Sequence, residues 1–195
     1  FYSELSDAEM KDRQEFDWFM EYYYTKPRPD LISKAMTRIE ELRILQKESA
    51  TPPIVAFFSE VFSANPEKLH RWSEITKSLD PQTREAMFSA LSMSQSGGVL
   101  ELEDTTPGIN DMDWGAFYAT GNTEFVLRLV ARVPDVDERS DFLRFITGAT
   151  AQWSLASNAR SHEPVRRILE DAVRESDGRR AALLQEALEE DPAVI

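Results

Sequence analysis

Apolar residues recur along this chain at the three-and-four spacing of one helix face, and hardly anywhere at the two-residue spacing of a strand. Segment 6–24 opens on Ser6 with Glu9 three places on, as in a capping box, and carries Phe16, Phe19, Met20 and Tyr23 before Pro27 and Pro29 end it. Segment 30–46 puts Leu31, Ile32, Ala35, Met36, Ile39 and Leu42 on one stripe. Three further helices open on Thr51-Pro52, Asn65-Pro66 and Asp80-Pro81. Each pair offers a capping side chain and then a proline, whose missing N–H is no loss in a first helical turn. Behind these starts come a helix through Phe62, one with Leu69, Trp72 and Ile75, and one with Met87, Ala90 and Leu91.

The pattern breaks over 96–110, which holds three of the seven glycines and no helical period. Val99 to Glu103 alternates like a short strand but has no partner strand, so the stretch reads as a loop, long for a compact domain. Helix resumes at Asp111, runs past Trp114 and Phe117, and stops at Gly121. Asn122 caps the next helix, with Phe125, Val126, Leu129, Val130 and Val133 as its face and Pro134 as its end. From Asp137 a long segment follows, with Phe142, Ile146, Ala149, Trp153 and Ala156 in near-heptad spacing. Gly148 interrupts it at a cost in helix propensity, which points to another helix passing close by. Pro164 starts a helix with Val165, Ile168, Leu169, Ala172 and Val173, and the last runs from about Arg179 with Leu183, Leu184, Ala187 and Leu188. About ten helices and no credible sheet make the class all-α: one domain over 1–195, with 96–110 as a loop insertion and sub-boundary.

Three joints between helices look alike, at 23–32, 62–69 and 118–126. Each closes one helix on aromatics, turns tightly, and puts an acid in the next first turn, where it complements the helix dipole. Helices joined this tightly are expected to pack antiparallel, as stacked hairpins in a solenoid-like array or a compact irregular bundle. The spacing is uneven: Pro29 to Pro66 is 37 residues and Pro66 to Thr123 is 57, so a regular tetratricopeptide array is excluded. The run Asp113-Trp114-Gly115-Ala116-Phe117-Tyr118-Ala119-Thr120-Gly121-Asn122 resembles a hallmark of a family of bacterial all-helical proteins of unknown function. Residues 57–66 and 153–160 are similar to it, so the resemblance spans roughly 52–173. It implies a helical-hairpin, tetratricopeptide-like fold and a bacterial origin, and it carries over no catalytic residue.

Composition narrows the function classes. Acidic residues outnumber basic ones 35 to 22, a net charge of −13, so the field of the whole molecule repels nucleic acid. A hydrophobic fraction of 42% is too high for a disordered acidic chain. With no cysteine there is no disulfide framework, thiolate metal site or cysteine nucleophile. No apolar run approaches the roughly 18 residues of a membrane helix. The chain opens at Phe1 rather than Met, which reads as a removed leader, an anchor or an artificial cut. The compartment stays open between periplasmic or secreted and cytoplasmic.

Candidate chemistry is thin. His70 and His162 lack partners at metal-ligand spacing and read as surface or capping residues, and no Gly-x-Ser-x-Gly elbow occurs. The sharpest cluster is Glu101, Glu103, Asp104, Asp111 and Asp113. Calcium favours such oxygens, but Gly115 comes one place early for an EF-hand and the closing Glu is missing. The plainer reading is a solvated loop followed by acids in a first helical turn. Tyr22, Tyr23 and Tyr24 cannot all face inward on a helix, since successive residues are about 100° apart, so Tyr22 and Tyr24 are candidates for an exposed groove. Arg160, Arg166, Arg167, Arg174, Arg179 and Arg180 alternate with acids, as on a salt-bridged surface. The expectation is a non-enzymatic interaction or scaffold domain with a protein or peptide partner, no nucleic acid, no metal and no cofactor. The alternative is a small-ligand or ion-binding protein, or an enzyme, with its site around 96–113.

Overall fold

A computed structural model describes residues 10–102 and 106–189, and among them are ten α-helices and no strand. The all-α class therefore stands. These residues fall into two compact units: one takes the described residues through Leu102 together with Trp114–Gly121, the other 106–113 together with the chain from Asn122 onward.

In the first unit, α1 (Arg13–Glu21) starts at Asp12, whose carboxylate accepts the Glu15 N–H at 2.9 Å. The expected Ser6–Glu9 start lies outside the described residues. Helix α2 (Ile32–Glu41) buries the predicted stripe Ile32, Ala35, Met36 and Ile39 but stops short of residue 46. Arg43 turns left-handed (φ 53°), and a 3₁₀ turn, Ile44–Gln46, follows. A straight helix would have carried Ile44 and Leu45 away from that stripe; the turn buries both. Helix α3 (Thr51–Ala64) buries Ile54 through Ser59, Val61 and Phe62, so it is apolar almost all round and central to its unit. Thr51 is its first helical residue rather than its cap.

Helix α4 (Leu69–Ser78) contributes Trp72, whose ring centroid lies 5.2 Å from that of Phe62. Helix α5 (Pro81–Gln95) is capped by Asp80, as read from the sequence, with its carboxylate taking the N–H groups of Gln82 and Thr83 at 2.9 and 3.1 Å. A 3₁₀ turn, Pro66–Lys68, separates α3 from α4, and α3 packs chiefly along α5, not along the next helix in sequence as a simple hairpin would. Part of α6 (Pro107–Thr120) completes this unit. Gly115 lets the helix lie directly on the Pro53 carbonyl, where a Cβ would sit 2.1 Å from the oxygen. Phe117 packs on Tyr24, and Gly121 (φ +68°) ends the helix against the same tyrosine.

The second unit holds the start of α6, then α7 (Glu124–Arg132), a 3₁₀ turn Val133–Asp137, α8 (Phe142–Ser161), α9 (Glu163–Glu175) and α10 (Gly178–Glu189). Helix α7 buries Phe125, Val126, Leu129 and Val130 as predicted, and the Asn122 side chain accepts the Glu124 N–H at 3.1 Å. Gly148 does mark a close approach, but the neighbour is the backbone of the 3₁₀ turn rather than a helix: a Cβ there would meet the Val136 nitrogen at 2.4 Å. His162 sits at the α8–α9 joint, its N–H donating to the Asn158 carbonyl. Its position is a cap's, yet its side chain is buried, not on the surface.

Candidate functional site

The acidic stretch separates into parts with different fates. Glu103 and Asp104 lie outside the described residues, as does the Glu101 side chain; the Glu101 backbone closes a 3₁₀ turn that begins at Val99. Helix α6 starts at Pro107, four residues earlier than the apolar pattern indicated, because Pro107 suits a first turn and Ile109 is buried there. Asp111 and Asp113 are therefore inside a helix, not in solvated loop or first turn. Asp111 is half-buried, and burial raises its carboxyl pKa.

Asp113 is fully buried, the main correction to the sequence reading. Its Oδ2 accepts a hydrogen bond from Arg132 Nη1 at 2.5 Å, and its Oδ1 lies 3.3 Å from Arg128 Nε. Burial pushes its pKa up, while the Arg132 hydrogen bond and the charges of Arg132 and Arg128 pull it down. Arg132 Nη1 also donates to Asn110 Oδ1 at 3.2 Å, and Asn110 Nδ2 donates to the Thr147 carbonyl at 2.8 Å and Thr150 Oγ1 at 2.9 Å. The start of α6 is thus fastened to α7 and α8 by a buried polar network. Chemically, this Asp is a counter-ion for two guanidiniums. Among the described residues no group of three or more His, Cys, Asp or Glu comes together to hold a metal.

Of the three tyrosines, Tyr23 points inward, against Phe19 and Phe57 at centroid distances of 5.5 and 5.2 Å. Its hydroxyl pKa is pushed up to about 12, by burial first and then by the charge of Asp30. Tyr22 and Tyr24 are half-buried, and Tyr24 packs on Phe117 at a centroid distance of 5.0 Å. They belong to the first unit, Asp111 and Asp113 to the second, and neither unit gathers all the candidates.

Another carboxylate was not singled out by sequence. Glu60 Oε1 accepts the Val99 N–H at 3.1 Å and lies 2.6 Å from where a Cβ on Gly98 (φ +76°) would be. Desolvation raises its pKa.

Helix α8 carries apolar residues on opposite faces. The inner face is mostly small: Thr147, Gly148, Ala151 and Ala159 with Leu155, a composition that admits the 3₁₀ turn against Gly148. Four of the five near-heptad positions, Phe142, Ile146, Ala149 and Trp153, lie on the other side. Phe142 is 68% exposed, Leu143 51% and Trp153 48%, while Ile146 and Ala149 are partly covered and Ala156 is buried. Two concave regions accompany these features. In the first unit a cavity of about 410 Å³ is floored by Phe16, Met20, Ile44, Ile54 and Tyr118. In the second a groove of about 600 Å³ is edged by Arg160, Arg166, Glu170 and Arg174. The Arg166–Glu170 pair at 2.9 Å beside it is the salt-bridged surface the alternating charges indicated.

No family model matches the chain, and no curated protein or solved structure matches it either. No described helix is long and apolar enough to cross a membrane.

Proposed function

We propose that this chain is a non-enzymatic interaction module whose working surface is the outer face of α8 and whose partner presents an amphipathic helix. One observation carries the reading: Phe142, Leu143 and Trp153 stand open on a helix whose opposite face is already packed. Large apolar side chains grouped on one exposed face mark an interaction site more often than scattered ones do. The stripe Phe142, Ile146, Ala149, Trp153 follows i, i+4, i+7, i+11, the spacing of a seam between two helices crossing at a shallow angle. The buried pairing of Asp113 with Arg132 and Arg128 leaves the alternative, a ligand site at 96–113, with less support.

A photoreactive benzoylphenylalanine in place of Trp153, irradiated in cells that produce the protein, tests the proposal. Protein adducts are expected at that position and not with the probe at exposed Arg167 on α9. Absence of any adduct at 153 overturns it.

A further inference from the structure

We infer that the cavity of the first unit is a binding site for a small apolar monocarboxylate, an acyl chain of about ten carbons with its acidic head at Lys47 and Ser49. The walls argue for an apolar body. Helix α1 sends Phe16 and Met20 into the lining, the turn after Arg43 sends Ile44, α3 sends Pro53 and Ile54, and α6 sends Tyr118. A helix start ordinarily shows free N–H groups, which suit an anion. That of α3 differs, because Pro52 and Pro53 carry none, so Pro53 gives the cavity a ring where a donor would stand. Met20, unbranched and half-buried, is a side chain that can shift around a guest. At roughly 30 Å³ per heavy atom, the share of a water in the liquid, about 410 Å³ holds about 13 heavy atoms. Decanoate has twelve.

The edge argues for an acidic head. Four charged side chains line the cavity: Arg13, Asp17, Glu21 and Lys47. Arg13 Nε holds both oxygens of Asp17, at 2.7 and 2.8 Å, and Glu21 is engaged as well. Lys47 has no ion-pair partner among the described residues, and the Ser49 hydroxyl has no hydrogen-bond partner among them. Both are exposed, two places apart on the turn that forms the edge; Glu48 stands between them in sequence but does not line the cavity. An ammonium and a hydroxyl both donate, and a carboxylate, which only accepts, satisfies the two together. At the edge the head keeps its contact with water, so no ion has to be buried. The −13 of the whole chain does not forbid this, because charges beyond about 8 Å are screened at physiological ionic strength.

A ligand this small binds modestly, with a dissociation constant of roughly 0.1–1 mM for octanoate. Each methylene added to the chain tightens binding about three- to four-fold while it still enters the cavity. The gain therefore continues from octanoate to decanoate and stops near dodecanoate, where the volume is spent.

Isothermal titration calorimetry on the full chain tests the site, with octanoate, decanoate and dodecanoate as the length series and octylamine and 1-octanol as the head-group comparison. One octanoate is expected per chain, with octylamine at least ten-fold weaker. Lys47→Ala changes an exposed side chain, so the fold is retained; it weakens octanoate about five-fold, the worth of an exposed ion pair, and leaves 1-octanol unchanged. Lys47→Glu reverses the order of octanoate and octylamine. Ala50→Leu narrows the cavity from its edge and removes binding while helicity by circular dichroism is kept. Trp153→Glu, on the exposed face of α8, binds as the parent does. The inference is overturned if neither octanoate nor decanoate binds up to about 5 mM, above the range expected. It is overturned equally if octylamine matches octanoate, if both Lys47 variants bind like the parent, or if Trp153→Glu is the variant that loses binding. Should Ala50→Leu fail to fold, the Lys47 variants decide the matter alone.

Discussion

Replacing Gly115 with alanine is the sharpest test of the packing in the first unit. The added methyl lies 2.1 Å from the Pro53 carbonyl oxygen and 2.8 Å from its carbon. The obstacle is the backbone of α3's first turn, which cannot swing aside as a side chain can. Relief takes a displacement of about 1 Å, resisted on one side by Phe117 packed on Tyr24 and on the other by buried Ile54 and Val55. Overpacking of this kind costs about 1–3 kcal/mol, and more where backbone must move. Alanine returns about 1 kcal/mol of helix propensity. A net loss of about 2 kcal/mol is therefore expected, read as a lower urea midpoint by circular dichroism. Gly108→Ala is the control in the same helix. Its methyl meets only Thr106 Oγ1, at 3.7 Å, an ordinary contact, so this variant should match or slightly exceed the parent. If Gly115→Ala unfolds at the same urea concentration as Gly108→Ala, the close approach of α6 to Pro53 is wrong.

Glu60→Gln keeps an acceptor for the Val99 N–H and removes the charge that burial disfavours. Because the folded pKa is raised, the carboxylate penalises the folded state at neutral pH and the penalty fades as pH falls; the variant should melt higher at pH 7–8, with its advantage shrinking toward acid in thermal scans. Asp113→Ala removes the buried carboxylate that pairs with Arg132 and Arg128 and should cost about 2–4 kcal/mol, whereas Asp113→Asn should cost less; urea midpoints compare them. Asp80→Ala removes the α5 cap and should cost about 1 kcal/mol. The Thr83 hydrogen bond chiefly holds the Asp80 carboxyl below its ordinary value, so its contribution is complete above the ordinary aspartate range and disappears as pH falls through the lowered one. The difference in melting temperature between parent and variant from pH 7 to 2 traces that loss.

Helix starts were legible where a proline fixes the backbone or a short polar side chain caps it, as at Pro52, Asp80-Pro81 and Pro164, and the stop at Gly121 was legible because glycine alone accepts that turn easily. Arg43 gave no such signal: its left-handed backbone is imposed by the burial of Ile44 and Leu45, a gain local propensity does not record. Helix α8 shows the limit of periodicity. Spacing finds an apolar stripe, but here the packed face is the one of small residues, and only the neighbouring backbone at Gly148 explains that choice. Asp113 was hidden because its partners come later in sequence. Arg128 and Arg132, four residues apart on α7, both reach it, but arginines at that spacing are ordinary on an exposed helix face and do not by themselves call for a buried anion.

The division of α6 between the two units has a consequence in time. A ribosome delivers the chain from its N-terminus, and the first unit is incomplete when Leu102 appears. Phe117, which will pack on Tyr24, and Gly115, which will lie on Pro53, are still to be synthesised. Translation must pass through 106–113, part of the other unit, before Trp114–Gly121 can complete the first. For that interval the emerging chain shows apolar surface around Tyr24 and the start of α3, a state open to chaperone capture or misassembly. Slow codons placed far enough after residue 121 for Trp114–Gly121 to have left the ribosome would let the first unit close before the rest of the second emerges, while slow codons before that point would prolong its exposure.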